Sequence, residues 1–169
     1  MAYLMPLPEP KPTGDTLWTA IRSTEAAVAA APGGAEGGYY LGLLYYKAGE
    51  LELAATAFRQ MTARRPDHVQ AWHALAVTLV ALRRPQEAIA ALETALAGGP
   101  RTGVLLADLG LLLAEAGERK RASRVLEEAV ATEDLPLETR ETIERIAQEQ
   151  QGRPRWWQRL KKPRLRTQV

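Results

Sequence analysis

Apolar residues return along the middle of the chain every three or four positions, and that helical rhythm itself repeats every 34 residues. Three consecutive blocks, 35–68, 69–102 and 103–136, align without insertions. In their first halves Leu41, Gly42 and Tyr45 correspond to Leu75, Ala76 and Leu79, and to Leu109, Gly110 and Leu113. In their second halves Ala54 and Phe58 correspond to Ala88, Leu92 and Ala95, and to Ala122, Leu126 and Ala129. Spacings of i, i+4 and i+7 place one apolar stripe on each of two helices. Between the halves stand chain breakers: Gly49, the Arg84-Pro85 step and Gly117. Each block therefore reads as a helical hairpin, in which Gly42, Ala76 and Gly110 on one helix and Ala54, Ala88 and Ala122 on the other permit a close approach. One hairpin cannot bury both of its faces, so the blocks are expected to stack.

This pattern resembles the tetratricopeptide repeat family, whose signature is Trp, Leu, Gly, Tyr, Ala, Phe, Ala and Pro at fixed offsets. Block two meets it with Trp72, Leu75, Ala76, Leu79, Ala88, Leu92, Ala95 and Pro100, and Trp72, Phe58 and Leu92 are expected to be buried. Block one supplies Leu41, Gly42, Tyr45, Ala54, Phe58 and Pro66, with Gly38 in the aromatic position and Met61 for the last alanine. Block three supplies Leu106, Leu109, Gly110, Ala122, Leu126 and Ala129, with its proline displaced to Pro136. The resemblance implies an all-α fold, a right-handed α-α superhelix of antiparallel hairpins, and a protein that binds other proteins and is not an enzyme.

The same frame extends backwards and forwards. Gly14, Ala20, Ile21, Ala27, Val28 and Pro32 occupy the offsets of a second helix, so residues 14–34 read as half a repeat, with a helix over 15–31 and Asp15 as its N-cap. Residues 137–150 leave the pattern but keep Ile143, Ile146 and Ala147 on one side, as a capping helix would. The repeat domain is thus expected over 14–150. It is flanked by a proline-rich arm, 1–13, in which Pro6, Pro8, Pro10 and Pro12 favour an extended polyproline form, and by a tail, 151–169. Tyr3, Leu4 and Met5 are candidate anchors of that arm on a partner.

Composition narrows the function. With 46% hydrophobic and 25% charged residues the chain can bury a core, and with no cysteine it has no thiolate nucleophile, disulfide or sulfur-ligated metal. No run reaches the roughly 18 apolar residues of a membrane span, and the first residues lack the charged start of a secretory signal, so a cytoplasmic protein is expected. Abundant alanine and an excess of arginine over lysine suit a GC-rich bacterial genome. The net charge of +2 conceals a division: seven basic residues and no acid lie in 152–169, leaving 15 basic against 20 acidic elsewhere.

Little in the chain carries chemistry. His68 and His73, five apart, do not share a helix face, which speaks against a metal site, and no nucleophile, phosphate-loop or dinucleotide motif occurs. No cofactor and no small-molecule substrate are expected. Asp108 and Glu115 are read as solvated carboxylates. The family resemblance implies a groove lined by the first helix of each block. Transferred here, it comprises Tyr39, Leu43, Tyr46 and Lys47, then His73, Val77 and Val80 with Ala81, then Leu111 with Ala107 and Ala114. The chaperone-tail clamp found in some members needs Lys and Asn where this chain has Tyr39, Leu43, Ala74, Val104 and Asp108. A mostly apolar groove with two tyrosines suits a helical or extended hydrophobic segment. The alternative is that Leu43, Val77 and Leu111 are covered by neighbouring helices, and that His73 is a plain surface histidine.

The tail is a second candidate site. Trp156, Trp157 and Leu160 would gather on a short helix among Arg153, Arg155, Arg159, Lys161, Lys162, Arg164 and Arg166. That composition suits anionic lipid, a protein groove, or less readily a nucleic acid backbone. The expected function is an adaptor or assembly factor, with peripheral attachment to the inner face of a membrane through the tail as one option. A permanent subunit of a larger complex and an RNA-associated protein are the alternatives.

Overall fold

The computed structural model describes residues 14–31 and 36–149. All its regular elements are α-helices: α1 (Gly14–Ala30), α2 (Gly37–Ala48), α3 (Leu51–Arg64), α4 (Val69–Ala81), α5 (Pro85–Gly98), α6 (Gly103–Glu115), α7 (Arg119–Ala131) and α8 (Leu137–Glu149). The three hairpins fall in the three 34-residue blocks, and the fold is the all-α solenoid type expected from the repeat. Two compact units hold these helices, divided between Pro100 and Arg101. In the first, α1 to α5 pack each on the next; in the second, α6 packs along α7 and also touches α8.

The hairpins close because a small residue on one helix meets a large one on the other. A Cβ placed on Gly42 would stand 2.5 Å from Cε1 of Phe58, and one on Gly110 would stand 2.6 Å from Cδ2 and Cγ of Leu126. Phe58, Leu92 and Leu126 are all buried, as are Ala54, Ala88 and Ala122 beside them. The recurring Gly or Ala therefore sets the distance between the helix axes, and the recurring large residue fills the space so defined.

The turn between the helices is also repeated. Gly49 and Gly117 both take the left-handed conformation at φ 81°, and the next amide, of Glu50 or Glu118, donates back to the carbonyl of Tyr45 (2.9 Å) or Leu113 (2.8 Å). This is the glycine-terminated helix end in which the following N–H satisfies an otherwise orphaned carbonyl. In the middle hairpin the equivalent residue is Arg83, at φ 61°, and Arg84 N–H donates to Leu79 O at 2.9 Å. The breaker there is thus Arg83, one residue before the Arg84-Pro85 step that the sequence suggested. Pro85 takes the first position of α5, where it needs no partner.

The second unit is tied differently. Thr102 Oγ1 accepts from Leu105 N–H (3.5 Å), and Asp134, in the proline position of its block, accepts from Gly103 N–H (2.9 Å). Gly103 is required there, since a Cβ would lie 2.3 Å from Thr132 Oγ1. Arg101 forks onto Glu128 of α7 at 2.5 and 2.8 Å. The expected capping helix is present as α8, with Ile143 fully buried and Arg140 donating to Val130 O at 3.3 Å. The side chains of Ile146 and Ala147 lie outside the described residues.

Three expectations are corrected. Asp15 lies inside α1 as described from Gly14, in a first turn where a carboxylate suits the helix dipole, and so is not the cap. Asp108 is not solvated but buried within the leucine-rich α6, while Glu115 is exposed. Trp72 is only partly buried, because its indole N–H reaches the loop at Pro66 O (3.0 Å) and holds the ring at the surface.

Arg83 supplies a direct test of the turn. A non-glycine residue in the left-handed region carries a cost of about 1–2 kcal/mol, part of which returns as unfolded-state entropy when glycine replaces it. Arg83→Gly should therefore raise stability by up to about 1 kcal/mol in urea unfolding, whereas Gly49→Arg and Gly117→Arg should lower it.

Candidate functional site

Tyr39, Leu43 and Tyr46 stand at i, i+4 and i+7 on α2, and His73, Val77 and Val80 stand at the same spacing on the adjacent α4. Both rows belong to the first unit. Tyr39, Leu43, Tyr46, His73 and Val80 are partly exposed, and Lys47 is exposed at the end of its row. Val77 is buried, as is Leu111 on α6 in the second unit. At 5% and 4% exposure these two present little surface in the folded chain. Leu43, at the same offset of its block, stays partly exposed.

Tyr39 is the most closely held of the row. Its ring lies 5.1 Å from that of His68, 6.0 Å from Phe58 and 5.9 Å from Tyr40. Burial pushes its hydroxyl pKa up, with Tyr40 and Glu36 adding to the effect; burial alone raises that of Tyr46. Both are therefore neutral phenols at physiological pH, each able to donate or accept a hydrogen bond beside the aliphatic Leu43 and Val80. The arrangement can grip an apolar segment and orient it by a few polar contacts.

His68 has a role that its spacing from His73 did not disclose. Its Nδ1 accepts from Ala71 N–H at 3.1 Å and so caps α4. That fixes the proton on Nε2, which donates to Glu36 at 3.2 Å, just before α2. One imidazole thus ties together the starts of the two helices that carry the candidate row, with Tyr39 against its ring. Its position immediately ahead of a helix was the available signal, a weak one since histidine is an uncommon N-cap. Among the described residues no three His, Cys, Asp or Glu side chains are grouped to hold a metal.

A shallow cleft of about 280 Å³ lies between α3, α4 and α5, floored by Leu75 and Leu79, flanked by Trp72 and bordered by an ion pair from Arg59 to Glu87 at 2.7 Å. A second pair, Arg84 to Glu52 at 2.9 Å, also joins the two hairpins. Such exposed pairs add little stability and serve register more than energy. The tail residues Arg153, Arg155, Trp156, Trp157, Arg159, Leu160, Lys161, Lys162, Arg164 and Arg166 lie outside the described residues. No described helix is long and apolar enough to cross a membrane.

Comparison with known proteins gives a consistent picture. The tetratricopeptide repeat profile matches residues 19–68 and 39–102. Protein FlbA of Caulobacter vibrioides is 37% identical over 106 residues, a match that covers 63% of this chain and 18% of the length of FlbA. A crystal structure of MamA superposes with a TM-score of 0.73 at 19% identity, covering 86% of this chain and 87% of that one. A thermophilic TPR protein of Thermus thermophilus superposes with a TM-score of 0.64 at 27% identity, over 82% and 76% of the two chains. The likeness to MamA is one of fold.

The junction of α1 with α2 beside this row carries a measurable ionisation. Tyr45 is buried and donates its hydroxyl to Glu25, and burial, followed by that hydrogen bond and the nearby carboxylate, pushes its pKa from 10.0 to about 12. Since the folded value lies above the unfolded one, the contribution is complete below about pH 10 and is lost as pH rises towards 12. Stability should fall across that window. In Tyr45→Phe the fall should be smaller, as read by urea unfolding at about pH 9 and about pH 11.

Proposed function

The chain belongs to the tetratricopeptide repeat family, a family of protein-interaction scaffolds, and from this we propose that it is an adaptor or assembly factor that binds a helical or extended apolar segment of a partner protein. The observation that carries the reading is the partly exposed row of Tyr39, Leu43 and Tyr46 on α2 beside His73 and Val80 on α4. A scaffold that needed only to be stable would leave polar residues there; aromatic groups with polar tips are what recognition surfaces use. Lys47, exposed at the end of the row, suits an acidic residue flanking the bound segment.

The basic tail is the second attachment in this reading. Its Trp156, Trp157 and Leu160 offer apolar anchoring, and its seven basic residues offer attraction to an anionic membrane surface or to an acidic partner. Nucleic acid is disfavoured as the main target, because the rest of the chain carries 15 basic against 20 acidic residues and would be repelled by phosphate.

Both attachments can be examined in one design, using tagged full-length protein recovered from its own cells. Tyr46→Ala with Lys47→Glu should reduce the recovered partner by tenfold or more while shifting the melting temperature by only a few degrees, because Lys47 is exposed and Tyr46 is only partly buried. Trp156→Ala with Trp157→Ala should leave that partner in place but abolish sedimentation with anionic vesicles. Undiminished partner recovery in the first variant would remove the α2 and α4 row from the binding surface.

A further inference from the structure

The three hairpins provide an internal standard for what the face of a second helix looks like when its first helix is in place. Ala54, Phe58 and Met61 on α3, Ala88, Leu92 and Ala95 on α5, and Ala122, Leu126 and Ala129 on α7 are all buried. The same offsets on α1 are Ala20, Thr24 and Ala27, of which the first two are partly open and the last is exposed. Thr24 has its hydroxyl turned back onto Ala20 O at 2.8 Å, leaving its methyl for outside contact. On the neighbouring α2, Tyr40 is 56% exposed, whereas Ala74 at the same offset on α4 is 0% exposed. This is a small-residue, apolar face with no described helix against it.

The register of a first helix is occupied in the sequence by the segment that runs into α1. Pro6, Pro8, Pro10 and Pro12 exclude an α-helix there, since each interior proline removes a hydrogen bond and clashes with the preceding turn. They favour instead a polyproline helix with three residues per turn and about 3.1 Å per residue, in which Leu4, Leu7 and Pro10 share one edge. Leu4 and Leu7 are then about 9 Å apart on that edge. On α1, Ala20 and Ala27 are about 10.5 Å apart along the axis. After a turn of about two residues the segment would bring Leu7 level with about residues 22 to 24 of the helix and Leu4 about 9 Å further, near its C-terminal end. Four residues without an N–H also leave few backbone donors to satisfy against an apolar face.

We propose that residues 4–10 lie in extended form along Ala20, Thr24 and Ala27 of α1, beside Tyr40, and cover the face that a first helix covers in the complete hairpins. The arm is then an intramolecular cap of the repeat and not a free tether, with Leu4 and Leu7 as its two contacts.

The absence of cysteine makes a direct test possible in the full-length chain. Two double variants, Leu7→Cys with Thr24→Cys and Leu7→Cys with Ala26→Cys, have nearly the same tether length but place the second thiol on opposite sides of α1. Under mild oxidation at micromolar protein, the Thr24 pair should form an intramolecular disulfide at least ten times faster than the Ala26 pair. Adding Leu4→Asp should bring it down to the Ala26 rate, with the helical circular dichroism unchanged. Equal rates for the two pairs would overturn the proposal, and so would disulfide-linked dimers as the main product of the Thr24 pair, which would put a second copy on this face.

Discussion

Everything in this molecule depends on how closely two helices can approach within a hairpin. At Gly42 three ring atoms of Phe58 lie within 2.8 Å of where a Cβ would be, and at Gly110 two side-chain atoms of Leu126 lie 2.6 Å from that position. A methyl group on either glycine would force the axes apart or displace a buried side chain, and interiors packed to crystal density do not yield cheaply. The middle hairpin uses Ala76 at this position and answers it with Leu92 in place of the aromatic ring. The pairing of small with large is kept from block to block even where the residues change.

That constraint explains why the architecture was legible in the sequence. Period, helix faces and the identities of Phe58, Leu92 and Leu126 as core follow from spacing and size alone. What spacing does not convey is the conformation of single residues and the local partners of polar ones. Nothing in an arginine announces positive φ, so Arg83 gives no sign in the sequence of being the left-handed turn residue; the hairpin geometry imposes it. Asp108 reads as a surface carboxylate in any helical pattern, yet α6 buries it. Trp72 satisfies the aromatic position but keeps its N–H on the Pro66 carbonyl, and so remains partly outside.

The candidate site was legible to a lesser degree, for a related reason. The offsets pick out one face of each first helix, but they do not separate the buried side chains, Val77 and Leu111, from those that stay partly open, Tyr39, Leu43, Tyr46, His73 and Val80. The contribution of His68 was hidden because it is made by both ring nitrogens at once, one to a backbone amide and the other to Glu36. It means that the row on α2 and the row on α4 are set by a shared fastening at their starts as well as by packing along their length.

A double-mutant cycle at Gly42 and Phe58 tests the role of close approach most directly. Gly42→Ala in the otherwise unchanged chain should lose about 1–3 kcal/mol through overpacking, and Phe58→Ala alone about 3–5 kcal/mol. In the double variant the added methyl meets the space vacated by the ring, so the two losses should fall short of additivity by about 1 kcal/mol or more, within the range of about 0.5–3 kcal/mol known for touching residues. Losses that simply add, measured by urea unfolding of all four proteins, would contradict the claim that these two residues set the distance between the helices.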